Sequence, residues 1–347
     1  CQVPYTCFTV SINGFFALLI PAGILLIGST FNPSLFLDLI FYIILTPIAS
    51  LIMNKIMFSS QNWMIAKQSL LKIEKILDTK PLEESKNPQH IKSHQINFNN
   101  VSFKYPGNTK ETLKNINFEI KENETIALVG PSGGGKTTLA TLIPRFWDVD
   151  SGEILIGDVN VKNIKEKELM KNISFIFQKT QLFKNSILNN VLIAKKDAKK
   201  SEVLEALSAA QCDDIIKKLP DGIDTVIGKS GVHLSGGEQQ RIALARVILK
   251  DAPIIILDEA TAFADPENEY KIQKAFKKIT EGKTVLIIAH RLSTIKNVDK
   301  ILVIQSGEII ESGPHNELIE ADGFYKNMWD NYNESVQWKV KNFQSPI

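Results

Sequence analysis

Thr125-Ile126-Ala127-Leu128-Val129-Gly130-Pro131-Ser132-Gly133-Gly134-Gly135-Lys136-Thr137-Thr138-Leu139-Ala140 is the stretch on which the reading of this chain turns. Residues 126–129 form a continuous apolar run, the pattern of a strand covered on both faces. Gly130 to Thr137 fits G-x-x-x-x-G-K-[ST], and a helical pattern follows near 138–143. Strand, glycine-rich loop and helix in that order are the context a phosphate-binding loop requires. The glycines let backbone N–H groups approach phosphate oxygens, and a helix start adds a favourable dipole. Lys136 is then the group that neutralises the outer phosphates, and the Thr137 hydroxyl is a ligand for Mg²⁺.

Further apolar runs at 173–177, 254–257 and 285–289 alternate with helical patterns, which predicts a mostly parallel α/β sheet. Segments 101–104, 116–120 and 153–156 alternate in polarity beside turns and predict an additional antiparallel β layer. The run Ile254-Ile255-Ile256-Leu257 ends in Asp258-Glu259. Asp258 at the strand end suits Mg²⁺, directly or through water, and Glu259 suits orienting or deprotonating an attacking water. More than a hundred residues separate Lys136 from Asp258, and that helical insertion contains Leu234-Ser235-Gly236-Gly237-Glu238-Gln239-Gln240-Arg241. Ser235 and Glu238 make S-x-x-E ahead of the periodic Ile242, Ala245 and Leu249, the capping box of an ordinary helix. The same residues also read as a second anion site, because two glycines expose backbone N–H groups at a helix start.

With these motifs together, residues 96–324 resemble the ABC transporter ATPases. Residues 234–240 look like the family signature, Gln178 in Phe177-Gln178-Lys179 like the Q-loop glutamine, and His290 in Ala289-His290-Arg291 like the switch histidine. Tyr105 in Phe103-Lys104-Tyr105-Pro106 matches the aromatic that stacks on adenine, and Asp265 the D-loop aspartate. Taken singly, Tyr105 also reads as a surface turn aromatic, Gln178 and His290 as strand ends, and Asp265 as an N-cap before Pro266. The resemblance implies ATP and Mg²⁺ as ligands, with Glu259, His290 and Gln178 catalytic and Thr137, Gln178 and Asp258 at the metal. Residues 130–138 and 234–239, with Tyr105 and Asp265, would hold the nucleotide between two subunits. Two departures from the family pattern stand out. Ala262-Phe263-Ala264-Asp265 resembles the siderophore and iron-chelate branch, and Lys229 occupies a position that is usually acidic.

Ahead of this domain the composition changes. Between residues 1 and 60 the only formal charges are Asp38 and Lys55. Segments 8–28 and 35–53 are each long enough to cross a hydrocarbon core of about 30 Å, and Ser29-Thr30-Phe31-Asn32-Pro33-Ser34 reads as the turn between them. Residues 1–79 are therefore expected to be a partial transmembrane domain, a helical hairpin with a cytoplasmic extension along Trp63, Ala66, Leu70, Ile73 and Leu77. Asp38 reads either as part of a polar helix contact or pathway, or as a residue reaching the interface. Lys55, Lys67, Lys72 and Lys75 follow the second span and place that end in the cytoplasm. Residues 80–95 read as a linker, with His90 and His94 solvated, and 325–347 as a C-terminal tail. A chain that starts with Cys1 inside apolar sequence is expected to be the C-terminal part of a longer polypeptide.

A membrane segment fused ahead of the ATPase resembles the exporter-type half-transporter, truncated at its N-terminus. That implies ATP hydrolysis coupled to transport, a second half-transporter as partner (homodimer or heterodimer), a lipid bilayer, and residence in the plasma membrane with the ATP-binding domain in the cytoplasm. The alternative is a non-transport or regulatory, membrane-anchored ATPase of the same family. The chain has 40 Lys+Arg against 38 Asp+Glu, a net charge of +2, so no basic field points to nucleic acid. Three cysteines (Cys1, Cys7, Cys212) in no metal-ligand spacing exclude a disulfide scaffold and read as buried or lipid-facing.

Overall fold

The computed structural model describes residues 10–343, apart from 12, 15, 16, 19, 26–32, 80, 179, 229–231, 259–265 and 290. The chain divides into two units, Cys1–Pro81 and Leu82–Ile347.

In the first unit α1 (Pro33–Leu77) is a helix of 45 residues with Pro47 inside it, about 67 Å long at 1.5 Å per residue. Among the described residues it is the one helix long and apolar enough to cross a membrane. Many of its apolar side chains are exposed, Leu37 and Phe41 among them. The helix begins at Pro33, inside the stretch read as a turn, because proline at a first helical position loses no hydrogen bond and has a preset φ. The rest of that turn lies outside the described residues. Of the earlier apolar stretch, residues 10, 11, 13, 14, 17, 18 and 20–25 are helical. Ser50 Oγ donates to Asn13 Oδ1 at 2.6 Å, and a Cβ on Gly23 would lie 2.7 Å from Leu39 Cδ1. Residue 13 beside 50 and residue 23 beside 39 is the pairing of two antiparallel segments.

The second unit holds two sheets. The first comprises β1 (Ile96–Phe103), β2 (Leu113–Ile120), β4 (Ser151–Ile156) and β5 (Val159–Asn160), in the order β2-β1-β4-β5 and antiparallel throughout. The second is ordered β10-β9-β3-β8-β7-β6. Its members are β3 (Thr125–Val129), β6 (Ile173–Ile176), β7 (Ile254–Asp258), β8 (Thr284–Ile288), β9 (Lys300–Gln305) and β10 (Glu308–Gly313). Its pairings are parallel except β9 with β10.

The continuous apolar runs have a direct explanation in this arrangement. Side chains alternate between the faces of a strand, and both faces are covered. On β7, Ile254 and Ile256 enter a core shared with the antiparallel sheet and with α2 (Lys136–Leu142), whereas Ile255 and Leu257 enter a core built with helices. Those helices include α4 (Ile187–Leu192), α5 (Lys200–Ala209), α6 (Asp213–Lys218), α7 (Gly236–Lys250) and α8 (Pro266–Thr280); α3 (Glu166–Asn172) belongs to the first core. On β3 and β9, Ala127, Val129, Ile301 and Val303 face a third core.

That third core corrects the expectation of a tail. After α9 (His315–Glu320), α10 runs from Phe324 to Phe343. Tyr325 is fully buried, with Phe324, Met328 and Trp329 packed beside it. Tyr325 OH lies 2.8 Å from His315 Nδ1, and Glu311 Oε2 accepts from Tyr325 N at 2.9 Å. The aromatic spacing 325, 329, 332 lies on one helix face, and that face buries. The stretch read as a linker also lies along the domain. Gln89 N donates to Asn163 O at 2.8 Å, Ile91 packs on the first core, and His90 and His94 pair with Glu168 and Glu122 at 2.8 and 2.9 Å. Cys212 is buried, and burial pushes its thiol up to about 12; Cys1 and Cys7 lie outside the described residues.

Candidate active site at the strand ends

The parallel register aligns the last residues of neighbouring strands. Leu128 pairs with Ile288, Asp258 with Ile288, and Ile176 with Leu257. The carboxyl ends of β3, β8, β7 and β6 therefore make one rim, where ligands of open α/β sheets bind. The loop Gly130 to Thr137 leaves β3 at this rim, Asp258 ends β7 there, and Gln178 lies two residues beyond β6.

Backbone contacts hold the loop. Gly130 has φ +137°, and a Cβ there would lie 2.0 Å from Ile304 O, so no other residue fits. Gly135, at φ +108°, would bring a Cβ to 2.8 Å from Leu113 Cδ2 and 3.1 Å from Thr112 O. Gly307 N donates to Gly134 O at 3.0 Å, and Gly134 N to Pro131 O at 3.1 Å. Gly133, by contrast, has φ +79° and nothing within 4 Å of its added Cβ, so the loop is open on that side. Pro131 and Ser132 are exposed with it. This is a cradle packed on one side and accessible on the other, and its shape fits a phosphate chain. Lys136 is 5 % exposed and its Nζ donates to Gly130 O and Pro131 O at 2.9 and 2.8 Å. The ammonium is thus held over the loop.

Thr137 is exposed, and its Oγ1 lies 3.5 Å from Oδ1 of the buried Asp258. A hydroxyl and one carboxylate are the protein's usual share of a Mg²⁺ site that phosphates and water complete. Among the described residues there is no cluster of three His, Cys, Asp or Glu fit for a metal. Tyr105 OH lies 3.1 Å from Thr138 Oγ1, beside the loop. Its ring stands edge-on to Phe103 and Trp147, with centroids at 4.9 and 5.4 Å. Gln178 is exposed and follows an aromatic group in which Phe175 and Phe177 lie 4.4 Å apart.

The second anion candidate sits in the helical layer. Ser235 caps α7 with both halves of the capping box formed: Glu238 N donates to Ser235 Oγ at 3.3 Å, and Ser235 N to Glu238 Oε2 at 2.8 Å. Gln239 Nε2 donates to Leu234 O at 2.9 Å. Ser235 and Gly236 are exposed while Gly237 is buried, so the helix start is presented to solvent. The two readings of this segment are compatible, because the capping box uses the Ser235 and Glu238 side chains and leaves the exposed glycine backbone accessible. Glu259, Asp265 and His290 lie outside the described residues, as do Lys229 and Ala262-Phe263-Ala264. Sequence reasoning missed the backing of the loop by Ile304 and Gly307. Those contacts are backbone ones and leave no residue-type signal. It also missed Trp147 beside Tyr105, which no motif marks.

Comparison with known proteins agrees with this geometry. The family model described as ABC transporter matches residues 113–262. The ATP-dependent lipid A-core flippase of Pasteurella multocida (strain Pm70) is 45% identical over 234 residues, 67% of this chain and 40% of that protein. A Staphylococcus aureus (strain NCTC 8325 / PS 47) chain named for multidrug export is 46% identical over 242 residues, 70% of this chain and 42% of its own length. A solved bacterial Atm1-family ABC exporter with ATP bound superposes with a TM-score of 0.70 at 32% identity, covering 85% of this chain and 52% of that one. The chain thus spans about two fifths of the curated relatives and about half of the solved exporter. The glycine cradle, the Thr137–Asp258 contact, the capped helix start at Ser235 and these likenesses lead to one assignment: residues 113–262 belong to an ATP-binding domain of the ABC transporter family, similar to those of exporters.

Proposed function

We propose that this chain is the ATP-hydrolysing part of an ABC exporter, working as one of two half-transporters. The observation that carries the reading is the convergence at the strand ends, where the glycine cradle, buried Lys136 and the Thr137–Asp258 pair meet on one rim. Each residue then has a task. Tyr105 stacks on the adenine, the loop N–H groups and Lys136 bind the phosphates, and Thr137, Asp258 and Gln178 hold Mg²⁺. The metal supplies charge neutralisation on the phosphates. Glu259 orients or deprotonates the attacking water, and His290 stabilises the outgoing terminal phosphate. Residues 234–239 and Asp265 serve the nucleotide on the partner subunit, which makes an isologous pair with two composite sites. Exposure of Ser235 and Gly236 supports that task, since it leaves the α7 start accessible to a ligand held by another subunit.

Residues 1–79 are proposed as a partial transmembrane domain, with spans at 8–28 and 35–53 and a cytoplasmic helical extension, the ATP-binding domain lying in the cytoplasm at the plasma membrane with 96–324 as its limits. Relatives named for a lipid and for drugs are matched about equally well, so cargo is not read from this domain. The test is Glu259→Gln. Phosphate release is expected to be abolished while ATP-bound dimers accumulate. Near-normal release by that variant, or no release by the natural chain, would overturn the reading.

A further inference from the structure

Between β6 and α4 the chain carries neither strand nor helix from 177 to 185 among the described residues, yet part of it is well packed. Backbone polar groups without a ladder must find other partners. Two side chains supply several of them here. Asn190 on α4 is fully buried. Its Nδ2 donates to Phe183 O at 3.0 Å, Ser186 O at 2.9 Å and Asn185 O at 3.3 Å, and its Oδ1 accepts from Phe183 N at 2.8 Å.

Arg246 on α7 also binds this knot. Nε donates to Asn190 O at 2.8 Å, Nη2 to Asn190 Oδ1 at 2.8 Å, and Nη1 to Gln181 O at 3.0 Å. Three donors of one planar fork thus meet three acceptors, an arrangement a lysine cannot reproduce. Gln181 is three residues beyond Gln178, and Arg246 is eleven beyond Ser235 on the same helix, about 16 Å along its axis.

We propose that Arg246, with Asn190, is a positioning residue for Gln178, fastening the chain just beyond it to the helix that begins at Ser235. The glutamine that meets the metal in one composite site is thereby held in register with the helix start offered to the other. This rests on the function proposed above. A clasp that served folding alone would stabilise the domain without touching the metal dependence of nucleotide binding, and that difference is measurable.

The experiment uses the full chain and a fluorescent ATP analogue, titrated with and without Mg²⁺, alongside amide hydrogen exchange over 177–186. In Arg246→Lys the affinity without Mg²⁺ is expected to stay within a factor of two, while the tightening produced by Mg²⁺ falls several-fold and exchange over 180–186 accelerates. Combining it with Gln178→Ala should add nothing to the effect of Gln178→Ala alone. Arg246→Met, which keeps the stem and removes the donors, serves as the second variant and should behave alike. Faster exchange with unchanged Mg²⁺ dependence would reduce the clasp to a folding role and overturn the proposal, as would no change in either. Unchanged Mg²⁺ dependence in Gln178→Ala itself would instead remove the metal role of Gln178, a failure of the underlying reading.

Discussion

The carboxylate of Asp214 accepts from Arg241 Nη1 and Nη2 at 2.7 and 3.2 Å and from Lys271 Nζ at 2.9 Å. Arg241 directly follows residues 234–240, is 1 % exposed, and also donates to Gln211 O. Burial by itself raises the Asp214 pKa, but the hydrogen bonds and charges of Arg241 and Lys271 outweigh it and hold the group at about 2, against 3.8 in an unstructured chain. A depressed carboxylate contributes stability that is present above its unfolded value and lost as pH falls through its folded value. Asp214→Asn is therefore expected to lower the melting temperature at pH 6, with the gap from the natural chain closing between about pH 4 and pH 2. A gap independent of pH would refute the ion pair's role. Arg241 was visible in the sequence only as the residue after a motif. Its partner lies 27 residues earlier, and nothing in residue type marks a pairing across that distance. The cradle residues 130–137 were legible because one loop of consecutive residues supplies all their chemistry.

Elements read well where their determinants are local. The capping box of Ser235 and Glu238 was readable from four consecutive residues and formed as read, and α7 starts where it predicts. Ser235→Ala should cost about 1 kcal/mol, the usual value of an N-cap, measured as a reduced denaturation midpoint with an unchanged slope; an unchanged midpoint would show that the cap contributes nothing. The hairpin of β9 and β10 escaped notice although its signal is present. Ser306 and Gly307 carry φ of +52° and +85°, the left-handed pair of a two-residue hairpin turn. Helices α4 and α6, of six residues each, are too short for a 3.6-residue period to show. The aromatic face of α10 was also passed over, because a stripe at a chain end looks like a tail until the sheet beneath it is known.

For the whole molecule, the class of fold was legible because both faces of its parallel strands are covered, which forces uninterrupted apolar runs. The division of those runs among three cores was not, since it depends on which layer each strand face meets. The near-balance of charge, 40 basic against 38 acidic residues, leaves recognition to local sites. One of these carries its own optical gauge. The indole of Trp147 is 39 % exposed and stands edge-on to Tyr105, the ring proposed to receive adenine. Indole emission follows the polarity and ring neighbours around it, so occupancy beside Tyr105 should shift the intrinsic fluorescence of the full chain without any added dye. Trp147→Phe should erase that response to ATP, leaving the signals of Trp63, Trp329 and Trp338 flat; a response that survives the substitution would place the adenine elsewhere.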